Sequence, residues 1–103
     1  MSLLLGVDVE STSADPDKCE VTELGLTLWD TELNMPVTLF NIILQPYGRE
    51  EMDPRAEAVT GITQDFRRKH GMDPATSFCY MLYLMQQADF IVAHNAPFDR
   101  KVL

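Results

Sequence analysis

The run Leu3-Leu4-Leu5-Gly6-Val7-Asp8-Val9 constrains the fold most, because it is apolar on both alternating faces until Asp8 interrupts it. A strand of this kind reads as covered on both sides, in the interior of a sheet. Alternation also puts Asp8 and Glu10 on the same face, so both carboxylates converge at the strand's C-terminal end. An acidic pair at a strand end is commonly a solvated loop start. Here it closes an almost wholly apolar strand, where an idle carboxylate is costly. Oxygen-only donors suit Mg²⁺ or Mn²⁺, and two such ions side by side can drive in-line phosphoryl chemistry.

The rest of the chain supplies partners for that strand. Ser11 to Lys18 is a polar loop with Asp15-Pro16-Asp17 as its turn signal. Val21 to Trp29 alternates, with Leu24, Leu26 and Leu28 on one face and Glu23, Gly25 and Thr27 on the other, and reads as a second strand. Val37 to Leu44 reads as a third, with two largely apolar faces, and the short links predict an antiparallel meander.

From Asp53 the period changes to about 3.6. Asp53-Pro54 opens a short helix closed by Gly61, and Thr63 caps another that ends at Gly71. Asp73-Pro74 opens a longer helix to about Ala88, whose apolar face is predicted to hold Phe78, Met81, Leu82 and Met85. Met72, Met81 and Met85 read as core filler. Phe90 to Ala93 is a fourth, short strand, expected to be buried; arriving from a helix, it is expected to pair parallel to the first by a crossover. A helix starting near Asn95 then brings Asp99 across from Asp8, so that three carboxylates face one crevice at the strands' carboxyl ends.

With 103 residues, 46% of them apolar, the chain is sized for a single domain over 1–103. Its opening apolar run is too short for a signal peptide or a membrane span, so a cytoplasmic protein without a membrane partner is expected. Cys19 and Cys79 match neither a CxxC nor a zinc pattern and read as reduced core residues, with a bridge as the alternative. The net charge of -8 argues against tight, sequence-independent binding to long duplex, yet a metal-loaded acidic site can accept a phosphodiester at short range. The cluster Arg67-Arg68-Lys69-His70 reads as a solvated last helical turn complementing the helix dipole, with a phosphate clamp as the alternative.

Four segments, Val7-Asp8-Val9-Glu10-Ser11-Thr12, Glu23-Leu24-Gly25, Ala58-Val59-Thr60-Gly61-Ile62-Thr63 and Val92-Ala93-His94-Asn95-Ala96-Pro97-Phe98-Asp99, together resemble the DEDD, or DnaQ-like, 3′→5′ exonucleases. The resemblance runs from Leu3 to Leu103 in order and spacing. It implies an α/β, ribonuclease-H-like mixed sheet, with strands one to three antiparallel and strand four parallel. It also implies Mg²⁺ or Mn²⁺ as cofactor, two ions in the complete enzyme, and hydrolysis from single-stranded or frayed 3′ ends of DNA or RNA. Asp8, Glu10 and Asp99 are then the catalytic, metal-holding acids, with Asp8 shared between the ions. Ser11, Thr12, Asn95 and Phe98 border the substrate, although Asn95 also reads as an N-cap and Phe98 as a packing residue. His94 reads as a strand-end residue, since the family's catalytic His or Tyr belongs to a third motif on a later helix.

That third motif, with its fourth acid, is not found in this sequence, and neither is the family's fifth strand. The expectation is a domain lacking its last strand and helix, inactive by itself, with Phe90 to Ala93 as an exposed edge open to self-association. A non-catalytic nucleic-acid-binding or regulatory domain and a truncated remnant are the competing readings.

Overall fold

The computed structural model describes residues 2–15, 17–48 and 50–93. Four strands, β1 (Leu3–Ser11), β2 (Val21–Asp30), β3 (Met35–Ile43) and β4 (Phe90–Ala93), form one sheet in the order β3-β2-β1-β4. β1 pairs antiparallel with β2 and parallel with β4, and β2 pairs antiparallel with β3. The meander and the parallel return are therefore as expected. Between β3 and β4 run three helices, α1 (Pro54–Thr60), α2 (Gln64–His70) and α3 (Pro74–Gln87).

Local chemistry explains the boundaries. Asp30 accepts from the N–H groups of Glu32 and Leu33 through Oδ1, both at 2.9 Å, and Asn34 takes a positive φ of 54°, so the β2–β3 link is a tight turn. β3 consequently starts at Met35, two residues before the predicted point. Pro36, which has no N–H to give a ladder, sits where the β2–β3 register shifts. Asp53, Thr63 and Asp73 cap the three helices, accepting from the N–H of Arg55, Phe66 and Thr76 respectively. Gly61 closes α1 at φ 74°, in the left-handed region. Asp89 fixes the start of β4: its N–H donates to Leu3 O at 2.7 Å and its Oδ2 accepts from Leu3 N at 2.8 Å.

The period of two divides the sheet. Leu5, Val7 and Val9 face Leu28, Leu26 and Leu24 across the ladder, and together with Leu44, Met81 and Leu84 they make the buried core under α3. Burying these apolar side chains is the main drive for the fold. The buried stripe of α3 runs through Ser77, Met81 and Leu84, with Phe78, Met85 and Ala88 at its margins. Leu82 is 53% exposed, so the predicted apolar face was rotated too far. It lies 100° from Met81, whereas Leu84 and Met85 fall within about 60° on either side.

The opposite face is the larger departure. It carries Gly6, Asp8, Glu10, Glu23, Gly25, Leu39 and Val92, and no element covers it among the described residues. Leu39 is 71% exposed and Val92 51%, so β1 is not covered on both sides here as its composition predicts, and β4, expected to be buried, is exposed because nothing packs on it among the described residues. Cys19 and Cys79 are both free, but neither is a core residue: Cys19 is half-buried and Cys79 lies on the exposed side of α3. No helix among the described residues is long and apolar enough to cross a membrane.

Candidate active site

The uncovered face contains a groove of about 670 Å³. Its floor is β1 and β2, where Gly6 and Gly25 contribute no side chain; Asp8, Glu10 and Glu23 line one end and Leu39 and Val92 the other. Asp8 stands opposite Gly25 in the ladder and is solvent-exposed, so its carboxylate faces open space. Glu10 stands directly opposite Glu23. The predicted convergence of Asp8 and Glu10 is thus present, with a third carboxylate beside them to which the sequence reading gave no role. The antiparallel register would have found Glu23, since pairing Asp8 with Gly25 forces Glu23 against Glu10.

β1 loses its regular ladder at this point. The pairs run from Leu3↔Asp30 to Glu10↔Glu23, and the register then shifts before Ser11↔Val21. A bulge at a strand end bends the strand and re-aims the side chains beside it. Ser11 continues into a smaller hollow of about 310 Å³ between the loop after β1 and the α1 helix, lined by Glu10, Ser13, Asp53, Arg55 and Val59 among others. Glu10 borders both cavities, which places an acidic groove and a mixed polar-apolar hollow on either side of one carboxylate. Ser11 donates its hydroxyl hydrogen to Ser13 O at 2.6 Å, leaving its oxygen able to accept.

Thr12 corrects an expectation. It was placed beside the substrate, but it is fully buried and all its polar groups are engaged. Its N–H donates to Glu20 O at 3.0 Å, its carbonyl accepts from Asp53 N at 2.8 Å, and its Oγ1 accepts from Glu20 N at 3.1 Å. A residue committed in this way shapes the loop. His94, Asn95, Phe98 and Asp99 lie outside the described residues, so the third predicted acid is not placed.

The basic cluster is also revised. Arg67 is not solvated: its side chain is fully buried, with Nη1 2.9 Å from Glu20 Oε1. Arg68 does lie at the surface, 2.8 Å from Asp65 and 3.8 Å from Glu51. Only Arg67 faces inward because α2 packs across the ends of β2 and β3, and its guanidinium meets their terminal carbonyls.

For a hard divalent cation the donor chemistry fits: Asp8 and Glu10 supply carboxylate oxygens on one face of an open groove. Among the described residues no group of three or more Asp, Glu, His or Cys side chains is gathered closely enough to hold a metal. Asp8 and Glu10 line the same groove, and Asp99 lies outside the described residues.

The family model RNase_T, described as Exonuclease, matches residues 5–103. Escherichia coli exonuclease I in complex with a dA16 oligonucleotide superposes with a TM-score of 0.85 at 23% identity, over 99% of this chain and 23% of that one. Its complex with a dT13 oligonucleotide gives 0.85 and 23%, over 99% and 22%. Exonuclease I from Methylocaldum szegediense gives 0.86 and 22%, over 99% and 22%. The likeness establishes the ribonuclease-H-like mixed sheet, and the chain spans less than a quarter of the length of the structures it matches. Comparison with curated proteins gave no match.

Proposed function

This chain belongs to the exonuclease family whose model spans residues 5–103, and on that premise we propose that it carries the first metal-binding acids of a DEDD-type 3′→5′ exonuclease. The observation that supports this most is the placement of Asp8 and Glu10 on one uncovered sheet face, at the mouth of a groove large enough for a nucleotide. Asp8 and Glu10 would hold Mg²⁺ or Mn²⁺, and Asp99 is proposed to complete the set. When bound, such ions lower the pKa of water and stabilise charge on a leaving 3′-oxygen.

The chain's own residues do the rest of the binding work. Ser11, beside Glu10, is proposed to offer its N–H or its hydroxyl to the terminal nucleotide, and Asn95 and Phe98 are proposed to border it. The acidic groove repels a phosphodiester unless a cation intervenes, so substrate binding should depend on metal. That complexes of exonuclease I with dA16 and dT13 share this fold supports a single-stranded substrate here. The proposal assigns these residues metal and 3′-end binding; turnover by the 103-residue chain alone is proposed to be weak, because no residue in it is assigned to deprotonate water.

The test is fluorescence anisotropy with linear and circular single-stranded oligonucleotides of one sequence, in DNA and RNA forms. Mn²⁺ should tighten binding to the linear forms but not the circular ones, and Asp8→Ala should abolish that gain. Equal metal-dependent binding to circles would overturn the 3′-end assignment.

A further inference from the structure

The ladder that positions Asp8 is regular only to Glu10; the β1–β2 register then shifts and ends one pair later, at Ser11↔Val21. What holds the chain from there is a buried polar cluster. Thr12, two residues beyond Glu10, is tied to Glu20 by two backbone-directed bonds, Thr12 N to Glu20 O at 3.0 Å and Glu20 N to Thr12 Oγ1 at 3.1 Å. The buried Glu20 carboxylate lies 2.9 Å from Arg67 Nη1.

Arg67 is anchored on every side. Its Nε donates to Leu44 O at 3.0 Å, Nη2 to Val21 O at 3.2 Å and to Gln45 O at 3.5 Å, and Nη1 to Gln64 Oε1 at 3.1 Å. The end of α2 is itself fixed to the sheet, since Met72 N donates to Ile43 O at 2.8 Å and Gln45 N to Met72 O at 2.9 Å. A Cβ at Gly71 would come within 2.5 Å of Gln45 N, so glycine is required for that approach. A continuous path of contacts thus runs from the sheet end through Arg67, Glu20 and Thr12 to the residue after Ser11. It branches from Thr12 O to the N–H of Asp53, the cap of α1.

Burying two opposite charges is a poor way to gain stability, because their desolvation offsets much of their attraction and apolar residues of similar size often serve as well. What apolar filling does not provide is direction: the planar guanidinium fixes the carbonyls of Val21, Leu44 and Gln45 in angle as well as distance, while the Glu20 carboxylate, whose buried oxygens make no hydrogen bond, is drawn to it by charge alone. We propose that Arg67 and Glu20 are positioning residues for the metal site: acting through Thr12, they hold the backbone just past the bulge and so set the aim of the Glu10 carboxylate. This rests on the reading of Asp8 and Glu10 as metal donors. Arg67, spent wholly inside, has no role as a phosphate clamp.

The experiment is a Mn²⁺ titration of the chain followed by electron paramagnetic resonance, with circular dichroism confirming that each variant is folded at the temperature used. Thr12→Val removes the hydroxyl that accepts from Glu20 N and leaves the ion pair intact; it should weaken Mn²⁺ binding roughly 3-fold, the worth of one neutral hydrogen bond. Glu20→Leu combined with Arg67→Met removes both charges together and should weaken it about 10-fold, at the low end for residues that orient metal ligands. Both should alter the line shape of bound Mn²⁺, a readout that lowered stability does not move in a folded chain. Wild-type affinity and line shape in Thr12→Val would overturn the proposal, whether or not the double variant folds. If Asp8→Asn leaves wild-type Mn²⁺ binding unchanged, the metal-site reading fails first and the proposal falls with it.

Discussion

Glu10 and Glu23 face each other directly across the ladder between β1 and β2, an arrangement that costs stability because like charges repel across a strand pair. A site that collects cations is the setting in which such a pair is useful. Replacing Glu23 by Gln should therefore stabilise the metal-free chain by about 0.2 to 1 kcal/mol in urea denaturation, and the gain should shrink in saturating Mn²⁺, which already offsets the repulsion. No gain in either condition would show that the two carboxylates do not interact. The same scale separates what was legible in the sequence from what was not. Asp8 and Glu10 could be read because alternation along one strand fixes their common face. Glu23 needed the register between two strands, which no single segment contains. Arg67 was misread because a run of basic residues at a helix end ordinarily faces water, and only the packing of α2 against the ends of β2 and β3 turns one of the four inward.

Among the elements, those with chemical punctuation were read most directly. Asp53-Pro54 and Asp73-Pro74 open helices where expected, because a capping carboxylate followed by Pro starts a helix when a 3.6-residue apolar period comes after it. The phase of α3 was less legible. Phe78, Met81, Leu82 and Met85 satisfy a helical spacing, but so do Ser77, Met81 and Leu84, and the choice is made by which side meets Leu5, Val7 and Leu26. The cap at Asp73 gives a prediction. Its Oδ2 accepts from Thr76 N at 2.9 Å and from Thr76 Oγ1 at 2.8 Å, and these bonds, the backbone one foremost, hold the Asp73 carboxyl below its ordinary value of 3.8. A carboxylate lowered in this way stabilises the fold fully above its unfolded pKa, and that contribution is lost as pH falls through the lower folded value. Asp73→Ala should thus lower Tm at neutral pH, with the deficit narrowing only below pH 3.8. A deficit that is constant down to strong acid would mean that charge plays no part in the cap.

At the scale of the whole molecule, the described residues form a sheet with its buried core under α3 on one face and an acidic groove on the other. β4 is the sheet's edge among these residues, and Phe90 and Val92 are 62% and 51% exposed. An unpaired apolar edge recruits other strands. Sedimentation of the chain should show concentration-dependent association, weakened by Val92→Lys; a monomer at high concentration would count against an open edge. The fold class was legible because the run of strands, helices and a returning strand allows few arrangements. The bare second face was not, because apolar residues on both sides of β1 report a covered sheet whatever supplies the cover.

The central claim, that Asp8 and Glu10 are the metal-binding heart of an exonuclease site, is tested most directly by isothermal titration of Mn²⁺ into the chain and its Asp8→Asn and Glu10→Gln variants. Each variant removes a ligand charge from an exposed or half-buried position and should stay folded. Affinity should fall by at least about 10-fold in each, a fall like that from losing a group that merely orients a ligand. Wild-type affinity in both variants would contradict the account.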